Sequence, residues 1–245
     1  MEAYKEFAYI YDELMNDVEY KTWFEYIKEI IKTKNIKGKK VLEMACGTGN
    51  FTEYLCNEGY DVTCFDISQE MLTIAYQKLR KYRNVTILNQ DMTEFKLKDK
   101  FDVIVSICDS INYITDLKNL HKVFSNVYEH LNEGGIFIFD INSYYKLKNI
   151  IGNNVFVDEN EKVFYVWENY YDNNLDVCEF YLNFFVKECD RYKRFEEKHL
   201  QKAYRSEEII NALKLAKFNT IDVYDAFTFK APTNNSERIN FIAKK

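Results

Sequence analysis

The ten residues VLEMACGTGN, 41–50, set a carboxylate, Glu43, inside an apolar run and follow it with Gly47 and Gly49. A buried carboxylate without a partner is costly, so Glu43 implies a cationic partner. Glycines lack a Cβ and let the backbone come close to a bound group. Asp66 stands 17 residues after Gly49, a spacing that presents a carboxylate to both hydroxyls of a ribose. Asp91, between Gln90 and Met92, can accept from an exocyclic amine, with Ile67 and Met92 as apolar faces for a flat ring. Together these side chains can recognise a ligand that joins a cation to a nucleoside.

Such residues act together only if the chain folds them to one place. From Gly38 onward strand and helix patterns alternate. Strands are expected at 40–44, 61–65, 85–88, 101–107 and 136–141, the last after a Gly134-Gly135 turn. Helices are expected at 49–57, at 68–81 with Ser68 as N-cap and Met71 facing inward, and at 116–131. An earlier helix, 20–34, carries Trp23, Phe24, Ile27, Ile30 and Ile31 at helical spacing. This alternation predicts an α/β fold, doubly wound and Rossmann-like, with a mostly parallel sheet. The unbroken apolar runs VIVSI and IFIFDI suit strands covered on both faces.

After residue 150 the rhythm changes. Three helix-free strands, 163–171, 175–187 and 191–203, form an antiparallel segment with Asp172-Asn173-Asn174 as a hairpin turn. A helix capped by Ser206 and strands TIDVY and RINFIAK follow. The expected organisation is one domain over 1–245: a helical lid at 1–37, a cofactor-binding core at 38–149, a β insertion at 150–204, and a closing helix and strand pair at 205–245.

Composition narrows the class. Hydrophobic residues make up 47% and charged residues 29%, which is globular rather than disordered. The net charge of -6 argues against the whole surface attracting nucleic acid or an anionic membrane. Residues 187–205 hold seven Lys or Arg against four Asp or Glu. That excess reads as a solvated strand face before an RNA platform. The six cysteines show no C-x-x-C pair and no histidine at ligand spacing, so no metal site is expected and the thiols read as reduced. The N-terminus lacks signal-peptide character and no run has membrane-spanning length, so the expected location is cytoplasmic.

Ligands of parallel α/β sheets bind beyond the carboxyl ends of the strands. Those ends carry Glu43, Ala45, Cys46, Gly47 and Gly49, then Asp66 and Ile67, then Gln90, Asp91 and Met92, then Cys108, Asp109 and Tyr113, then Asp140 and Asn142. S-adenosylmethionine gives each carboxylate a task, with Glu43 beside its ammonium. A dinucleotide is disfavoured, because Thr52 occupies the third position of G-x-G-x-x-G and a carboxylate repels a pyrophosphate.

The pattern resembles the class I S-adenosylmethionine-dependent methyltransferases. VLEMACGTGN is similar to their first motif, V-L-D-x-G-C-G-T-G, with Glu43 for Asp and Ala45 for the first Gly. VTCFDIS, NQDM, FDVIVSICDSINYI and HLNEGGIFIFDIN resemble the following motifs, so the likeness covers residues 38–142. FAYIYDELMNDVEYKTW resembles the F-A-x-x-Y-D-x-L-M opening of a subgroup of small bacterial methyltransferases. The resemblance implies a seven-stranded sheet with its last strand antiparallel, and methyl transfer by in-line displacement. It also implies an N-terminal lid over the cofactor, for which Tyr9, Tyr11, Tyr20 and Trp23 are candidates.

Asp109 and Tyr113 lie where an acceptor should enter, with Asp109 the candidate for orienting or deprotonating a nucleophile, a hydrogen-bonding wall role being favoured over that of a base. Cys46 and Cys108 read as small hydrophobes and His199 as a surface residue. CDSINY lacks the Asn/Asp-Pro-Pro-aromatic pattern of enzymes that methylate base amines, which favours a small-molecule acceptor over nucleic acid. Two other functions compete: an NAD-dependent oxidoreductase, and a non-catalytic protein that only binds S-adenosylmethionine.

Overall fold

The computed structural model describes residues 7–15 and 17–245, the side chain of Tyr9 excepted. Tyr9, one of the lid candidates, therefore lies outside the described side chains.

The first described elements are two helices, α1 (Phe7–Leu14) and α2 (Tyr20–Thr33). Then come β1 (Lys40–Met44), α3 (Asn50–Asn57), β2 (Asp61–Asp66), α4 (Gln69–Leu79) and β3 (Val85–Asn89). After these run β4 (Phe101–Ser106), α5 (Leu117–His130) and β5 (Leu131–Asn142). An antiparallel group follows: β6 (Val155–Glu159), β7 (Val163–Asp172), β8 (Val177–Glu188) and β9 (Arg191–Lys202). Closing the fold are α6 (Ser206–Leu215), β10 (Thr220–Asp225) and β11 (Arg238–Lys244).

The main sheet has seven strands in the order β10-β11-β5-β4-β1-β2-β3, and β6 to β9 form a separate four-stranded sheet. Only β11 runs against its neighbours, pairing antiparallel with β10 and β5. This is the α/β Rossmann-like fold expected from the alternation of patterns. Strand order reverses between β1 and β4, which opens a crevice at their carboxyl ends.

Side chains of one strand feed two cores. On β4, Val103 and Val105 join the layer under α2, α3 and α4, while Ile104 joins the layer under α5 and α6. A strand covered on both faces has no solvent side, which is why VIV is uninterrupted. Trp23, Phe24, Ile27, Ile30 and Ile31 bury one stripe of α2 against the first of these layers.

Three local expectations change. Gly134-Gly135 lies within β5, in an irregular stretch where the partners of Phe101 and Val103 are Leu131 and Ile136. Ser206 is the first residue of α6 and not its cap; Arg205 holds that position, and its backbone N–H donates to Glu208 at 2.8 Å. The insertion has a fourth strand, β6, whose Val155 and Val157 are exposed. A short, exposed, acidic edge strand carries little hydrophobic signal to read.

Candidate active site

Three residues of the β1–α3 turn take left-handed backbone angles: Ala45 at φ 54°, Gly47 at 54° and Gly49 at 79°. Alanine there costs about 1–2 kcal/mol of strain relative to glycine, a modest penalty. The two glycines serve different ends. A Cβ on Gly47 would meet only Tyr11 Cε1, at 3.9 Å, so the space beside it can take a ligand. A Cβ on Gly49 would strike Leu79 Cδ1 at 2.8 Å. Gly49 therefore lets α4 pack against the turn and does not line the cavity, contrary to its expected role in close ligand approach.

Asp66, at the end of β2, holds this turn. Gly47 N–H donates to its Oδ2 at 2.8 Å and Ser68 N–H to its Oδ1 at 2.9 Å. Burial raises the Asp66 pKa, and those two backbone donors oppose the rise. From the other side Asp12 of α1 accepts from Thr48 Oγ1 at 2.5 Å, from Asn50 Nδ2 at 2.9 Å and from Lys78 Nζ at 2.7 Å. Burial alone would raise the pKa of Asp12; the bonds from Lys78 and Thr48 outweigh it and bring it below the usual value. So α1 is bolted onto the glycine turn by one carboxylate, the Asp of FAYIYDELM.

A cavity of about 690 Å³ occupies the crevice. Such a volume lies in the upper part of the range of small-molecule sites, roughly 300–1,000 Å³. One half is bounded by the ends of β1, β2 and β3. Glu43 is 2% exposed, and its one bond among the described residues is from Thr52 Oγ1 at 2.7 Å. Burial pushes its pKa up to about 8. Ala45, Cys46 and Gly47 lie beside it, with Tyr11 and Tyr20 over the turn. Farther along stand Asp66, Ile67, Met71, Gln90, Asp91 and Met92. Ile67 is 58% exposed, an apolar face left open at the cavity mouth. Asp91 accepts from Thr93 N–H at 2.7 Å and Thr93 Oγ1 at 2.8 Å, both on Oδ1, and Oδ2 takes no bond among the described residues.

The other half lies beyond β4 and β5. Cys108 and Asp109 adopt φ of 56° and 54°, and Tyr113 ends a 3-10 turn (Ser110–Tyr113). Burial pushes the Cys108 thiol well above its usual pKa, so it stays protonated. Asp109 takes the hydrogen-bonding wall role. Its Oδ1 is 2.9 Å from Arg238 Nη2, and its Oδ2 accepts from Gln201 Nε2 at 2.7 Å. Arg238 also bonds Asp140, whose carboxylate accepts from Asp109 N–H at 3.0 Å. With both oxygens engaged, Asp109 anchors a buried ion triad and is poorly placed to take a proton. Asp140 is raised to about 6, burial outweighing the pull of Arg238.

Two more expectations are corrected. Trp23 does not line the cavity. It stands behind Arg238, with the guanidinium 5.7 Å from its ring and Phe227 edge-on at 4.7 Å. Its place on the buried stripe of α2 turns it toward the sheet. His199 is not a surface residue: it is 6% exposed, lines the cavity, and packs edge-on to Tyr113 at 5.8 Å. Burial lowers its pKa to about 4, so the ring is neutral near pH 7.

Sequence reasoning missed Asp12, Lys146, Gln201 and Arg238, all on the cavity wall or its supports. Asp12 lay inside a quoted motif. Arg238 carried a weak signal, a charge opening the apolar strand RINFIAK.

Residues 41–135 match the family model of a methyltransferase domain. A Geobacillus sp. (strain WCH70) protein named as a methyltransferase is 35% identical over 99% of this chain and 100% of its own length. A solved S-adenosylmethionine-dependent methyltransferase from Clostridium acetobutylicum is 42% identical, covers 98% of each chain and superposes with a TM-score of 0.89. S-adenosylmethionine-bound CalS10, an amino pentose methyltransferase from Micromonospora echinaspora, has a TM-score of 0.76 over 97% of this chain and 96% of its own, at 16% identity, a likeness of fold alone. The chain belongs to the S-adenosylmethionine-dependent methyltransferases. Its residues fit that cofactor: a buried carboxylate raised to about 8 awaits a cation, and the space beside Gly47 is open.

Proposed function

We propose that this chain moves the methyl group of S-adenosylmethionine to a small-molecule acceptor held between β5 and the insertion. The observation that carries this reading is one continuous cavity running from Glu43 and Asp91 to Gln201 and His199. S-adenosylmethionine supplies a methyl group on a sulfonium, which leaves as a neutral thioether. The chain's part is to bind, orient and exclude water. Glu43 pairs with the ammonium of the cofactor's amino-acid end. Asp66 keeps lone pairs for the ribose hydroxyls beyond its two backbone bonds. Asp91 Oδ2 accepts from the adenine amine, with Ile67 and Met92 on the ring faces. Tyr11 and Tyr20 close over the turn, and α1 is held there by Asp12.

Residues 150–204 form the acceptor wall within a single methyltransferase domain spanning 1–245. Holding a nucleophile in line with the methyl group inside a dry site accounts for most of what such catalysis needs. Nucleic acid remains the disfavoured acceptor, because the wall is aromatic and inward-facing and the chain carries net charge -6.

Calorimetric titration with S-adenosylmethionine, S-adenosylhomocysteine and NAD tests the reading. Micromolar binding of the adenosyl compounds without NAD binding is expected. Binding of NAD alone contradicts it. Cofactor binding without methylation of any acceptor in a broad small-molecule panel supports the purely binding alternative.

A further inference from the structure

Resting on that assignment of the acceptor half, a second polar feature there is unaccounted for. Lys146 opens a π-helical turn, Lys146–Ile151, directly after β5, and its side chain lines the cavity. Its ammonium makes no hydrogen bond or ion pair with any described residue, whereas its neighbour Arg238 is taken up by Asp109 and Asp140. Burial and the positive charge of Arg238 pull the Lys146 pKa down, while Asp109, Glu237 and Asp140 raise it through space without touching it. A half-buried ammonium lacking a contact partner is a group waiting for an anion.

The walls around it are flat and apolar. Ile151, at the far end of the same π-helical turn, lines the cavity together with Trp167, Phe180 and Leu182 from β7 and β8, the strands that turn packs against, and Trp167 and Phe180 pack edge-on at 5.3 Å. The Trp167 indole N–H is buried and has no acceptor among the described residues. Lys146 and the indole thus offer two donors to the cavity, beside one open acceptor, Asn142 Oδ1, and the apolar faces suit a ring.

We infer that the methyl acceptor is a small molecule with a flat apolar body and an anionic oxygen group, a carboxylate or a phosphate, that pairs with Lys146. Aromatic walls without such a cation would favour neutral rings, and a cation on a bare surface would favour highly solvated anions. The two side by side select both features in one molecule.

The test uses the full chain saturated with S-adenosylhomocysteine, titrated calorimetrically with benzoate, phenyl phosphate and benzamide. At least one of the two anions should bind about tenfold or more tighter than the neutral amide, the scale of a charge-assisted hydrogen bond. Whichever anion binds more tightly identifies the oxygen group. Lys146→Met should erase the preference and Lys146→Arg should keep it, with S-adenosylhomocysteine affinity unchanged in both as evidence of folding. Equal binding of anions and amide, no anion binding up to about 10 mM (K of the weakest useful range), or a preference that survives Lys146→Met overturns the inference while leaving the methyltransferase reading intact. Failure of S-adenosylhomocysteine to bind the unmutated chain removes both.

Discussion

Glu43 offers a quantitative test of how the cofactor is held. Burial raises its pKa to about 8, so without ligand most of it is protonated at pH 7. The ligand's ammonium sits beside its own carboxylate, so it titrates above the chain-terminal range of about 7.7–8.0 and stays protonated through pH 8. If the bound pair is carboxylate and ammonium, affinity then scales with the ionised fraction of Glu43. At pH 6 about 1% of Glu43 is ionised, whereas at pH 8 about half is. Affinity should therefore climb about 50-fold between pH 6 and pH 8 and level off above it. Titration of S-adenosylhomocysteine at each pH measures this, and 5′-methylthioadenosine, which lacks the amino-acid end, serves as control. Its affinity should stay flat on the acid side. Glu43→Gln should remove the acid limb for S-adenosylhomocysteine and weaken binding at pH 8 by about tenfold or more. The same group acts on stability without ligand. Its folded pKa lies above the unfolded value, so the folded state holds a proton the unfolded chain releases, and stability falls as pH rises from about 4.5 to about 8. Glu43→Gln should flatten that slope in thermal melts. A pH-independent affinity in the unmutated chain would refute the pairing.

The two glycines should separate in their effects. Gly49→Ala adds a clash with Leu79 at 2.8 Å to the strain of a positive φ and should lower stability by about 2–5 kcal/mol in denaturant melts. Gly47→Ala has room in the unliganded chain, so it should cost only about 1–2 kcal/mol in the same melts while weakening S-adenosylhomocysteine more steeply in calorimetry. Asp12→Ala removes two bonds from α1 to the glycine turn, at Thr48 and Asn50, and one to Lys78 of α4. Limited proteolysis should then cut near α1 sooner, and cofactor affinity should fall by about tenfold. Asp109→Asn leaves Arg238 paired with Asp140 and should destabilise the chain by roughly 1–3 kcal/mol, the loss of one charge-assisted bond. Retained turnover at low temperature would confirm that Asp109 is not the proton acceptor, and total loss of turnover in a folded variant would restore that role.

Legibility followed the physics of each element. The parallel strands could be read because both faces are buried, so VIVSI and IFIFDI carry the signal in composition alone. Ser68 could be read as a cap because its hydroxyl accepts from Met71 N–H at 3.2 Å, a local bond encoded within four residues. The carboxylates at strand ends were visible because charge inside an apolar run is anomalous. Gly49 was harder: its neighbours in space, Leu79 and Ala75, lie well away in sequence. The partners of Asp109 were hidden for the same reason, Gln201 and Arg238 being 92 and 129 residues distant. His199 alternates with exposed Lys198 and Leu200 on β9, and only the docking of the insertion against Phe7 and Tyr113 decides which face is inside.

The most direct test of the site is a crystal structure of the chain with S-adenosylhomocysteine. The expected complex has the amino-acid end beside Glu43, the ribose at Asp66, the adenine between Ile67 and Met92 near Asp91, and the sulfur facing the half that holds Lys146 and His199. A ligand bound outside this cavity, or one with its adenine at the Lys146 end, would contradict it.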